Sequence, residues 1–181
     1  MDHTAWQNRL LDDLTHIGTH GEAAVAYLRK HGTRIGFRRA RLSVGAFWTP
    51  LGSIYLNARR YTYSNSLNDP YALCLVLHEA RHLQQGIFIA LSVYGELDAW
   101  QLHFTAYQHL VDKPIHPAIA KLISLPLGWD RTVLKRAREL MQVYASKKYR
   151  IDLLPLYPLG MEIRHRLGLR PGIYNPPARM E

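Results

Sequence analysis

The chain predicts an α+β fold, mainly helical, in which a small antiparallel sheet or hairpin packs on one apolar helix. Three observations carry this. Apolar side chains recur at spacings of three and four, as in Trp6, Leu10, Leu11, Leu14 and Ile17, and again in Leu134, Ala137, Leu140, Met141 and Tyr144. Between residues 34 and 57 that period gives way to short runs rich in β-branched and aromatic residues. Asp69-Pro70 then opens a long apolar helical stretch, with Asp as N-cap and Pro at the first helical position. A length of 181 residues suits one domain with a real core.

Taken in order, the first helix runs from Thr4 to about Ile17 and is broken by Gly18-Thr19-His20-Gly21. A second covers Glu22 to Lys30 and stops at His31-Gly32. Strands follow at Arg34–Phe37 and Leu42–Trp48; Thr49-Pro50-Leu51-Gly52 turns the chain into a returning strand, Ser53–Asn57. Tyr71, Leu75, His78, His82, Gln85 and Ile89 predict a helix from about Pro70 to about Ser92, weakened at Gly86 by about 1 kcal/mol relative to Ala. Val93-Tyr94-Gly95 reads as a break, and Glu96 opens the next helix, to about Val111. Pro-containing turns at 114–117 and 125–128 flank a short helix. Asp130 caps a longer one to about Ala145, and residues 160–167 form a last helix.

Inside the apolar helix stands His78-Glu79-Ala80-Arg81-His82, the pattern H-E-x-x-H. On a helix the two histidines lie one turn apart on one face, so both rings reach one Zn²⁺ at roughly 2.0–2.1 Å. Glu79 is placed to act on a water at the metal rather than to bind it. With 10 His and 6 Glu in the chain, chance placement produces roughly 0.02 such matches. Cys74 shares this face, but positions eight apart on a helix are separated by about 12 Å, so one ion cannot take Cys74, His78 and His82 together.

A catalytic zinc site takes a third protein ligand. Gln85 and Phe88 stand where a H-E-x-x-H-x-x-G-x-x-H site needs Gly and His. Thirteen residues, 83 to 95, separate His82 from Glu96, enough for the helix to end and a second one to return. Such a helix carries two carboxylates near its start, Glu96 and Asp98.

Glu96-Leu97-Asp98-Ala99 after H-E-x-x-H resembles the E-x-x-A element of the gluzincin-type zinc metallopeptidases, and His82-Leu83-Gln84-Gln85 resembles the H-x-x-Q continuation of small bacterial zincin-like domains. The likeness covers about Ser53 to Gln101. It implies a single zincin-like domain over residues 1–170: N-terminal helices in 1–33, hairpin and metal-binding helices in 34–112, C-terminal helices in 113–170. A Pro-rich tail fills 171–181. It implies Zn²⁺ held by His78, His82 and Glu96, Glu79 as general base, and hydrolysis of a peptide or protein substrate. Many members carry Asp after that Ala; Trp100 stands there, so support for the first histidine must come from elsewhere. In the family an edge strand before the active helix binds extended peptide; Ser53–Asn57 occupies that place, which makes Ser53, Tyr55 and Asn57 candidate substrate contacts. His103, seven residues after Glu96, and the hydroxyls of Tyr94, Tyr144, Tyr149 and Tyr157 are candidate oxyanion donors.

The formal charge is +9, yet residues 71–112 hold one basic side chain, Arg81, against Glu79, Glu96, Asp98 and Asp112, a net −3. Carboxylates thus gather where a cation is proposed. The basic flanks could attract an acidic partner, and Arg38, Arg39 and Arg41 form the best local case for an anion contact. One cysteine suits a reducing compartment, and the longest apolar run, 86–95, is too short to span a bilayer. The expectation is a cytoplasmic zinc peptidase. Its rivals are an inactive zincin-like binding or structural domain and, ranked last, a basic nucleic-acid module.

Overall fold

The computed structural model describes residues 2–145 and 150–169. The predicted tail at 171–181, with Lys147, Lys148 and Tyr149, lies outside the described residues. The fold is mainly helical with one three-stranded sheet.

Helix α1 (His3–Thr15) starts where the Asp2 side chain accepts the Ala5 N–H. Its Trp6, Leu10 and Leu14, four apart, are fully buried. Helix α2 (Thr19–Lys30) begins three residues before the predicted start, because Gly18 adopts φ 90° and its carbonyl accepts the Glu22 N–H.

Strands β1 (Ile35–Arg38), β2 (Ala46–Trp48) and β3 (Ile54–Asn57) follow, in the spatial order β1-β3-β2. The β2–β3 hairpin is antiparallel, but β1 pairs parallel to β3, so the sheet is mixed rather than antiparallel. The strand predicted to be an edge, β3, is central: β1 and β2 use both of its sides. Ile35, Ile54 and Leu56 are fully buried.

Helix α3 (Tyr63–Ser66), closed by a Thr62–Asn65 capping box, leads to helix α4 (Pro70–Gln85). The Asp69 carboxylate accepts the Tyr71 N–H at 2.8 Å, as the sequence predicts. Helix α4 is buried from Ala72 through His82. It stops at Gly86 instead of running to Ser92. Gly86 takes φ 73°, which turns the chain into a separate short helix, α5 (Ile87–Ala90).

Helix α6 (Val93–Leu110) starts three residues earlier than predicted, because the Ser92 hydroxyl caps it by accepting the Gly95 N–H at 3.0 Å. Gly95 is thus no break; it lies in the first turn, where a Cβ would stand 2.2 Å from the Ile89 carbonyl oxygen. Its missing side chain lets α6 start directly against α5 and return along α4. Helices α7 (Pro117–Ile123), α8 (Arg131–Ala145) and α9 (Leu159–Arg166) complete the order, with a 3₁₀ turn at Ile151–Leu153. Of the predicted α8 stripe, Leu134, Ala137, Leu140 and Met141 are buried, whereas Tyr144 is half-buried and faces the cleft.

Two cores result. One joins α1, α2, the sheet and one side of α4; the other joins α6, α7, α8 and residues 151–161. The α4–α6 seam lies between them. No helix of the described residues is long and apolar enough to cross a membrane.

Replacing Gly95 by Ala drives a methyl group into backbone that no rotamer change can clear. The expected loss is about 1–3 kcal/mol, or roughly 2–10 °C in Tm. Thermal melting checks this against Gly128→Ala, where a Cβ meets nothing within 4 Å and Tm should hold.

Candidate metal centre

His78 and His82 project from one face of α4, with ring centroids 4.6 Å apart and their Nε2 atoms 3.0 Å apart. Glu96 comes from the first turn of α6. Its carboxylate oxygens lie 3.8 Å from His78 Nε2 and 3.7 Å from His82 Nε2. One ligand atom from each of the three falls within 4.8 Å of the others, so the trio could hold a metal ion.

The surrounding hydrogen bonds decide which way the imidazoles present themselves. Gln85 donates its amide hydrogens to the Gly95 carbonyl at 3.0 Å and to Asp98 Oδ2 at 2.9 Å. Its Oε1 is left to accept from His82 Nδ1 at 3.1 Å. His82 Nε2 is then a bare lone pair. The other ring nitrogen of His78 donates to the Ala99 backbone carbonyl, which leaves His78 Nε2 in the same condition. Burial, then the neighbouring His82 and His103, hold the proton affinity of His78 well below the ordinary histidine range.

With the tautomers these partners set, two acceptors face each other beside a carboxylate, an arrangement that a cation would reconcile. A tetrahedral ion with bonds near 2.0–2.1 Å separates its ligand atoms by about 3.3 Å. The observed 3.0, 3.7 and 3.8 Å bracket that value. Two imidazole nitrogens and one carboxylate form a donor set that suits zinc.

Asp98, the rival third ligand, is turned away. Its Oδ2 accepts Arg81 Nε at 2.7 Å as well as the Gln85 amide, and it is buried. The run Arg81–Asp98–Gln85–His82 is therefore the layer behind the site, with charge balanced inside it. Trp100, where the resemblance expects Asp, donates its indole N–H to Glu96 Oε2 at 3.0 Å and so orients the carboxylate. Support for the first histidine comes from the Ala99 carbonyl.

Glu79, next to His78, is buried and points at the cleft outside this trio. Burial first, and the Glu96 charge second, push its proton affinity well above the ordinary carboxylate range, while the Trp48 backbone N–H opposes them. That hydrogen bond ties the active face of α4 to strand β2.

The site floors a cleft of about 690 Å³. Residues 42–48 form one wall; Trp100, Phe104 and Tyr144 stand opposite. Three of the expected substrate contacts do not belong to it. Ser53, Tyr55 and Asn57 sit at or on the central strand β3, whose edges are both taken, and none lines the cleft. Asn57 is fully buried and bonds backbone instead: its amide donates to the Arg41 and Val44 carbonyls and accepts from Ala40 and Arg59. The strand that borders the site is the edge strand β2. Period-two alternation marks strands but not their spatial order, so the sequence held no signal for this exchange.

His103 does line the cleft, with its ring 5.9 Å from that of His78. Burial lowers its proton affinity to about 3, and one ring nitrogen donates to the Cys74 carbonyl. Its Nε2 is buried and has no hydrogen-bond partner among the described residues. Of the candidate tyrosines, Tyr144 lines the cleft; Tyr94 stacks on Trp129 at 3.9 Å and Tyr157 packs near Arg131 and His165, both outside it. Tyr71, which sequence reasoning missed as a site residue, also lines the cleft and is kept protonated by burial and by Tyr144. Cys74 is a buried core residue, its thiol pushed up to about 12 by burial.

No protein-family model, curated protein or solved structure matches the chain.

Gln85→Met, which takes a hydrogen bond from buried Asp98 and from the Gly95 carbonyl, should cost about 1–3 kcal/mol of stability and weaken Zn²⁺ binding by about 10–100-fold, measured by denaturant unfolding and by competition with a chromophoric chelator. Asp98→Ala should do more, because it strands the buried Arg81 guanidinium: about 3–5 kcal/mol of stability is lost, read by denaturant unfolding.

Proposed function

We propose that this chain is a zinc-dependent peptidase with a zincin-like catalytic core. One observation carries the reading: the bare Nε2 atoms of His78 and His82 face each other at 3.0 Å with the Glu96 carboxylate at 3.7–3.8 Å, all at the foot of a cleft that also holds Glu79. The likeness of H-E-x-x-H and E-x-x-A to the gluzincin pattern, and a hairpin followed by the motif helix and a returning glutamate, support it.

His78, His82 and Glu96 would hold the ion. When bound, Zn²⁺ supplies Lewis acidity, acidifying a water and polarising the scissile carbonyl. Glu79, fixed by the Trp48 N–H, takes a proton at its carboxylate and returns it to the leaving amine. The hydroxyls of Tyr71 and Tyr144 are the donors in the wall for the developing oxyanion.

Strand β2 orients the substrate. Thr49 N donates to Ser53 O, and Asn57 N donates to Gly45 O. In an antiparallel ladder this points the backbone groups of Gly45, Phe47 and Thr49 towards β3 and those of Ala46 and Trp48 outward. The Trp48 N–H is taken by Glu79, and the outward groups of Ala46 with the Trp48 carbonyl suit an extended peptide added as a further strand, its Trp48 end nearest Glu79.

Glu79→Gln should keep zinc, measured by elemental analysis, and lower hydrolysis of a mixed peptide pool by about 10²–10⁴-fold. His78→Ala should lose the metal. Zinc uptake without hydrolysis by the unaltered protein would favour a metal-stabilised binding domain instead, and an unchanged rate in Glu79→Gln would remove Glu79 from the chemistry.

A further inference from the structure

Five arginines cluster at one end of the sheet, and one of them, Arg60, lines the cleft whose floor makes no use of it. Arg38 ends β1 beside Asn57, and Arg39 and Arg41 follow in the loop to β2. Arg59 and Arg60 follow β3 directly. The buried Asn57 amide gathers these stretches, because it bonds the backbone of Ala40, Arg41, Val44 and Arg59 at once. Ala58 N donates to Arg38 O, and the Arg60 guanidinium donates to the Leu42 carbonyl. Five arginines are thereby collected at one end of the sheet, all exposed. Among the described residues none of the five forms an ion pair with a carboxylate. Asp69, which with Arg60 acts electrostatically on Tyr61, forms no such pair either.

This rim is continuous with the proposed substrate track. Arg60 and residues 42–48 line the cleft itself. We infer that the arginine rim selects polypeptide substrates carrying acidic side chains near the bond to be cut; this rests on the peptidase reading. The floor, with Glu79 and Glu96, is hostile to a further carboxylate, so the acidic positions lie away from the scissile bond. An added strand rises about 3.4 Å per residue, and the rim begins beyond Ala46, two residues from Trp48. Acidic residues about two to four positions from the cut meet the guanidinia. A peptide is favoured over nucleic acid because the rim adjoins an open strand edge whose N–H and C=O groups match a peptide backbone, whereas a phosphate chain makes no use of them.

The test uses full-length Glu79→Gln protein and two short fluorescein-labelled peptides, one alternating Glu and Ala, the other alternating Gln and Ala, with a single-stranded DNA oligonucleotide as competitor. The Glu peptide should bind about tenfold tighter than the Gln peptide, and this preference should weaken as salt is raised. Adding Arg41→Gln and Arg59→Gln should reduce its affinity about fivefold, whereas Arg164→Gln with Arg166→Gln, an equal change in net charge on α9, should not. Thermal melts confirm that both sets of variants are folded. Equal binding of the two peptides, or the same loss from the α9 pair, overturns the inference. DNA that binds more tightly than the Glu peptide and displaces it also overturns it, reassigning the rim to nucleic acid. The zinc-loaded unaltered protein separates this idea from the one beneath it. Cleavage of both peptides at one rate refutes the rim's selectivity and keeps the peptidase. Charge-selective binding with no cleavage keeps the selectivity and refutes the peptidase.

Discussion

The contact between α4 and α6 at Asp98 governs the centre of this molecule. A carboxylate buried this deeply is costly unless it is paired and fully hydrogen-bonded. Arg81 supplies the charge and the Gln85 amide the second bond, both from α4. Because Gln85 also donates to the Gly95 carbonyl, one side chain fixes the start of α6 against the end of α4. Glu96 is then delivered one residue after Gly95, opposite His78 and His82. The same amide sets the His82 tautomer. The ligand geometry is thus a consequence of helix packing, and the packing depends on Gly86 to end α4 and Gly95 to admit α6.

Around this seam the charges are arranged in layers. Behind the ligands, Arg81 and Asp98 neutralise each other. At the candidate ligands, Glu79 and Glu96 face the cleft with His78, whose proton affinity burial lowers, and His82, which is hydrogen-bonded to Gln85. At the rim, five guanidinia stand without a carboxylate ion pair among the described residues. The acidic stretch 71–112 of a basic chain, visible in composition, therefore resolves into a negative floor beneath a positive rim.

Much of this was legible in the residues. Asp69-Pro70 marks the start of α4, the four-residue spacing places His78 and His82 on one face, and the α8 stripe reads as core and, Tyr144 apart, is core. The distance from His82 to Glu96 correctly suggested a returning helix. What the sequence hid was of two kinds. Strand periodicity says which residues alternate, not which strand lies in the middle, so β3 reads as an edge and Asn57 as a substrate contact, whereas β3 is central and Asn57 bonds the backbone of the adjoining loop. The second kind concerns single polar atoms. Gln85 stands three residues after His82, a spacing that puts the two in reach, yet nothing local shows that its amide is committed to Asp98 and Gly95. Trp100 looked like a lost supporting carboxylate and instead steadies Glu96.

Zinc K-edge X-ray absorption of the purified protein tests the centre most directly. The account predicts a first shell of nitrogen and oxygen alone at about 2.0–2.1 Å, with the outer-shell scattering of two imidazoles and no sulfur. A sulfur shell near 2.3 Å, which would bring in Cys74, or a spectrum of fully hydrated zinc without imidazole, would contradict it.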